Sequence, residues 1–180
     1  MDAPPAFSYF PEASSERKFS FNNGDGFYIT LPDCFTLSGN QYLSVYNQEN
    51  YECSEINAYF TIDHFSSADI AGLQNEERNS YEPTQSKEEF LINYALDQRS
   101  NGLSFFNTSI QQKTKTTAGI ELKLAAVKGR VETYSNELYY QYASFKLKNS
   151  FILIQFIVNS DDVRFFNEDI LSILKTIRKS

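Results

Sequence analysis

The clearest pattern along the chain lies in its second half, where apolar and polar positions alternate. Ile120, Leu122, Leu124 and Ala126 alternate with Glu121, Lys123 and others as far as Gly129, the two-residue period of a strand. Tyr134-Ser135-Asn136-Glu137 turns the chain into a strand over 138–148, and Lys148-Asn149-Ser150 turns it again into Phe151–Val158. Three antiparallel strands in a meander result. The last is apolar on both sides, with Ile152, Ile154, Phe156 and Val158 opposite Phe151, Leu153 and Ile157. Such a strand needs cover on both faces.

Helical periods appear twice. Ser86-Lys87-Glu88-Glu89 has the spacing of a capping box, and Phe90, Leu91, Tyr94 and Ala95 follow as an inward stripe until Asn101-Gly102 supplies a stop. Ser160 caps a terminal helix with Asp161 and Asp162 at its positive end; its stripe is Val163, Phe166, Ile170, Leu174 and Ile177, with Ile173 beside it. The first half predicts a strand at Phe19–Asn22, a tight turn at Asn23-Gly24-Asp25-Gly26 and a strand Phe27–Leu31 stopped by Pro32. Further strands are expected near 42–46 and 56–65. The polar, acidic stretch 66–85 reads as a long loop with a short helical turn. Pro4, Pro5, Pro11, Ser14 and Ser15 break any period over residues 1–18, which read as a flexible leader. The fold class is therefore α+β, one domain over residues 19–180, with a central antiparallel sheet flanked by helices.

That order resembles the PsbP-like fold family, which includes the photosystem II extrinsic protein, a Ran-binding nuclear-import factor and small bacterial domains. The resemblance rests on Phe27-Tyr28-Ile29-Thr30-Leu31-Pro32, the helix from Ser86 to Gly102, the meander from Gly119, and the closing Asp169-Ile170-Leu171-Ser172-Ile173-Leu174-Lys175-Thr176-Ile177. It covers residues 19–180. The aromatic residue that the family often carries after Leu-Pro corresponds to Phe35, with Cys34 beside it a departure. The resemblance implies an α/β/α sandwich and a role in binding or assembly. It carries no catalytic residues across, because the family has no shared catalytic motif.

Composition narrows the partners. The 180 residues include 16 Phe and 12 Tyr but no Trp, which favours sheet. A net charge of −7 argues against a nucleic-acid backbone as partner. The charge is uneven: residues 49–89 are strongly acidic, while 113–148 carry Lys113, Lys115, Lys123, Lys128, Arg130, Lys146 and Lys148 against Glu121, Glu132 and Glu137. The basic stretch reads either as strand faces kept soluble by lysine, the simpler reading, or as a face for an acidic partner. No apolar run is long enough to span a bilayer, and no secretory signal opens the chain. Met1 is either native or stands in place of a removed export signal.

Little in the sequence points to catalysis. His64 is the only histidine, and its neighbour Asp63 faces the other side of a strand, so a surface histidine at a strand end is expected rather than a metal site. The common nucleophile, phosphate-loop and metalloprotease motifs are absent, and no cofactor or metal is expected. Asn107-Thr108-Ser109 fits a glycosylation pattern that occurs often by chance. Cys34 and Cys53 lie 19 positions apart. A bridge would add about 3 kcal/mol in the loop-entropy picture, whereas a reducing compartment would leave two buried thiols. The Pro-rich leader favours the bridge, and with it export to a periplasm or cell surface over the cytoplasm.

Tyrosines crowd the 134–142 hairpin. Tyr134, Tyr139, Tyr140 and Tyr142 are the candidate binding residues, since tyrosine joins large contact area to a hydroxyl; the competing reading is cross-strand pairing within the sheet. The expected function is a non-enzymatic binding or accessory domain that engages a protein partner through a sheet face or edge. A carrier of a small apolar molecule or lipid is the alternative, and a hydrolase with an unrecognised site ranks last.

Overall fold

A computed structural model describes residues 10, 13–38, 49–76, 86–100, 105–108, 112–130, 138–159 and 163–180. In chain order the elements are β1 (Ser14–Ser20), β2 (Gly26–Pro32), β3 (Thr36–Leu37), β4 (Glu49–Cys53), β5 (Ala58–Ser66), α1 (Ser67–Glu76), α2 (Lys87–Ser100), β6 (Phe105–Thr108), β7 (Gln112–Lys115), β8 (Glu121–Arg130), β9 (Leu138–Lys146), β10 (Ser150–Asn159), α3 (Val163–Leu174) and β11 (Arg178–Lys179). The class is α+β with antiparallel sheets throughout.

The meander over β8, β9 and β10 forms the middle of an eight-stranded sheet ordered β3-β4-β5-β10-β9-β8-β6, with β7 also paired to β8. β10 is interior, flanked by β5 and β9. Its two apolar sides belong to two separate cores. Ile152, Ile154, Phe156 and Val158 join Phe60, Ile62, Phe27, Ile29, Ile170 and Leu174. Phe151 and Leu153 join Tyr140, Tyr142, Val127, Phe90, Leu91 and Ile70. One face of the sheet is thus covered by α1 and α2. The other is covered by α3 together with a second, three-stranded sheet ordered β1-β2-β11.

The flexible leader expected over residues 1–18 gives way to a strand in its last five residues. Ser14–Lys18 belong to β1, in register with Tyr28–Pro32 of β2, and Phe10 is 3% exposed in the first core, its amide donating to Asp169 Oδ2 at 2.8 Å. Among the described residues β1 pairs only with β2, and its mostly polar side chains gave no period to read. The turn between β1 and β2 follows its residues. Gly24 sits at φ +87°, a region that glycine enters without steric cost, and the Phe21 amide donates to the Asp25 carbonyl at 2.9 Å.

The stretch after β5 also departs from expectation. It opens with α1, a helix of ten residues rather than a loop with one turn. Ser66 caps it reciprocally: the Asp69 amide donates to Ser66 Oγ at 3.0 Å, and the Ser66 amide donates to Asp69 Oδ2 at 2.8 Å. Only Ile70 and Leu73 are buried along it, too few to set a visible period. α2 begins where its capping serine predicts, the Glu89 amide donating to Ser86 Oγ at 3.2 Å. Its buried face is Phe90, Leu91, Ile92 and Ala95, with Tyr94 half-buried. β4 was not anticipated, and Cys53 is its last residue. The strand expected near 42–46 and the stop at Asn101-Gly102 lie outside the described residues.

Candidate functional site

The tyrosines of the β9 hairpin are not a surface. Tyr139, Tyr140 and Tyr142 are 8%, 4% and 1% exposed. Tyr140 and Tyr142 pack in the core beneath α1 and α2, and Tyr139 packs in the opposite core. The Tyr139 hydroxyl lies 2.8 Å from Gln141 Oε1 and 2.9 Å from Asn167 Oδ1, and burial pushes its pKa up to about 12. Alternation on a strand covered on both faces buries aromatics of either parity, so these three act as sheet-packing residues and their reading as a binding face is corrected. Tyr134 lies outside the described residues.

Cys34 and Cys53 are joined as a disulfide with Cα atoms 5.0 Å apart, within bridging reach. The bond ties the end of β4 to the loop after β2. His64, expected as a surface residue at a strand end, is half-buried. It lies within β5, its ring stacked on Phe21 with centroids 4.1 Å apart and planes nearly parallel, and with Nε2 buried and without a hydrogen-bond partner among the described residues. Burial lowers its pKa, against the pull of Asp25 and Asp69.

Charge gathers elsewhere. The N-terminal turn of α2, the end of β9 and the β9–β10 turn enclose an open groove of about 470 Å³ lined by Lys87, Lys146, Lys148, Ser67, Asn149, Glu88 and Phe151. Phe151 is 5% exposed, and two ammonium groups lie over its ring, Lys87 Nζ at 5.6 Å and Lys146 Nζ at 5.9 Å from the centroid. A second groove of about 640 Å³ shares Glu88 and Lys146 and adds Lys123, Glu121, Arg178 and Lys179. The two grooves adjoin at Glu88 and Lys146, and their combined lining holds six cations against two carboxylates.

Two of those cations are already engaged. Lys123 is held charged despite its burial by Glu121 at 2.9 Å and Glu89 at 3.5 Å. Arg178 makes a two-pronged contact with Glu16 at 2.6 and 3.0 Å, with its guanidinium 3.9 Å from the Tyr28 ring centre. Hydrogen bonding from Arg178 lowers the Glu16 pKa. Lys87, Lys146, Lys148 and Lys179 make no ion pair with a described residue.

The turn that carries Lys148 is anchored from below. Asp25 accepts hydrogen bonds from the Asn149 amide at 2.9 Å, from Ser150 Oγ at 2.5 Å and from Asn23 Nδ2 at 3.4 Å. Burial raises its pKa, but the bonds from Ser150, Asn149 and Asn23 outweigh it and the net shift is downward. The carboxylate stays ionised and the turn stays fixed. Lys146 and Lys148 belonged to the basic stretch evident in the sequence. Lys87 and Lys179 are far from it along the chain, and only the fold brings them there.

No family model matches the chain, and no curated protein matches it. Among solved structures it is similar to a Pseudomonas aeruginosa protein of unknown function, at 11% identity and a TM-score of 0.47, over 89% of this chain and 94% of that one. At that level the likeness carries no functional argument.

Proposed function

We propose that this protein is a non-enzymatic binding domain that holds an acidic segment of a protein partner along the lysine-lined cleft. One observation carries the reading: on a chain of net charge −7, four lysines that make no ion pair with a described residue line two adjoining grooves. Clustered like charges repel one another, and an anionic partner relieves that repulsion while the cleft's field speeds encounter. Both faces of the central sheet are covered in its middle, so the partner meets strand ends and the α2 N-terminal turn rather than a sheet face. The resemblance to the PsbP-like family, which implies binding or assembly, points the same way. An apolar carrier is favoured less, because such ligands sit in enclosed apolar pockets and these two grooves are open and lined with charge.

The test is a photo-crosslinking residue placed at position 148, used in the protein's own cell, with the crosslinked peptide identified by mass spectrometry. An Asp- and Glu-rich segment whose capture is lost in Lys146→Glu is the expected result. Capture of apolar segments that survives the charge reversal would count against the reading.

A further inference from the structure

The groove over Phe151 has a composition of its own within the cleft. Its described lining offers three ammonium groups, the Ser67 hydroxyl and the Asn149 side-chain carboxamide as donors, and Glu88 as the one carboxylate. The formal charge of that lining is therefore +2. It contains no Arg, whose planar fork matches a flat carboxylate; lysines act as point charges and suit a tetrahedral group equally well. Lys87 and Lys146 approach the same buried ring from two different elements, and the turn bearing Lys148 and Asn149 is pinned by Asp25. The cations are thus brought together by the fold and not by adjacency in sequence.

We propose that this groove binds a phosphate-type dianion, the phosphate of a phosphomonoester. A carboxylate neutralises half of the local charge, and a phosphate dianion neutralises all of it. The dianion could be carried on the partner's own chain or on a free small molecule; the recognising chemistry is the same. This inference rests on the reading of the cleft as an anion-binding site and narrows one end of it.

The experiment follows amide resonances of Lys87, Glu88, Lys148 and Asn149 by NMR during titration of the intact protein with inorganic phosphate, at fixed ionic strength set with chloride. Phosphate takes its second negative charge near pH 6, whereas sulfate is a dianion throughout. Phosphate should therefore bind more tightly at about pH 7 than at about pH 5, with sulfate changing much less over the same range. Lys87→Gln, Lys146→Gln and Lys148→Gln should each weaken phosphate by about tenfold, the loss of one charge-assisted hydrogen bond. Lys175→Gln, at an exposed position that lines neither groove, should leave it unchanged. A phosphoserine-containing acidic peptide is then compared with its unphosphorylated twin and with free phosphoserine. Tighter binding of the phosphopeptide places the dianion on the partner, and equal binding by free phosphoserine places it on a small molecule. Phosphate that acts only as chloride does, or that ignores all three lysine changes, would overturn the proposal. If the unphosphorylated peptide still binds in that case, the acidic-partner reading stands without it; phosphate binding with no peptide binding is the reverse outcome.

Discussion

The carboxylate of Asp25, in the turn between β1 and β2, accepts a hydrogen bond from the hydroxyl of Ser150, 125 positions later, at 2.5 Å. Ser150 is fully buried and Asp25 is 7% exposed, so the bond ties the small sheet to the central one at the base of the basic cleft. Ser150→Ala should cost about 1.5–3 kcal/mol, the range for a hydrogen bond to a charged group. Asp25→Ala should cost more, because it leaves the Ser150 hydroxyl and the Asn149 amide without their acceptor. Urea unfolding of both variants checks the order.

The same cluster makes the fold acid-sensitive, by two routes of the same sign. The Asp25 pKa is lower in the folded protein, so its contribution is present above the ordinary carboxylate value of about 3.9 and is lost as pH falls through the folded value. The His64 pKa is also lowered. Folding therefore favours the neutral ring, and its contribution, full above about pH 6.5, declines as pH falls from there toward the folded value. The melting temperature should drop between about pH 7 and pH 5. His64→Phe keeps an aromatic stack on Phe21, removes the titration and should flatten that part of the profile.

How much of this was legible depends on where the signal lay. β8, β9 and β10 carry two-residue alternation, and the double-sided apolar pattern of β10 announced that both sheet faces would be covered. The identity of the cover was not written there. Phe27, Ile29 and Leu31 face the first core from a second sheet, and nothing local separates a strand in one sheet from a strand in another. The tyrosines misled for a related reason: Tyr139, Tyr140 and Tyr142 straddle both parities, and only the layers above and below decide whether a tyrosine meets a core or a partner. The cleft was half legible. Lys146 and Lys148 stood in a basic stretch, whereas Lys87 and Lys179 join them by tertiary placement alone.

The disulfide between Cys34 and Cys53 should contribute about 3 kcal/mol by closing a loop of this length in the unfolded chain. Comparing urea midpoints with and without a reducing agent measures it. Intact mass after alkylation, on protein taken from its own compartment, tests the expectation, drawn from the sequence, of an oxidising space.

Core and cleft should respond oppositely to substitution. Tyr142, Ile154 and Leu174 are almost wholly buried. Tyr142→Ala should cost about 3–5 kcal/mol, and Ile154→Ala and Leu174→Ala about 2–5 kcal/mol. Lys146→Gln and Lys148→Gln, at exposed positions, should change stability by no more than about 0.5 kcal/mol. Thermal melts of the five variants separate the residues that hold the fold from those free to hold a partner.

The most direct test of the basic cleft is calorimetric titration of the intact protein with a short Glu- and Asp-rich peptide at low and at high salt. Side-by-side titrations use wild type and the Lys146→Glu/Lys148→Glu double variant. The expected result is binding that weakens steeply as salt rises, and that disappears in the double variant while the melting temperature holds. Binding that is indifferent to salt and equal in both proteins would contradict it, and would place the partner surface elsewhere on the molecule.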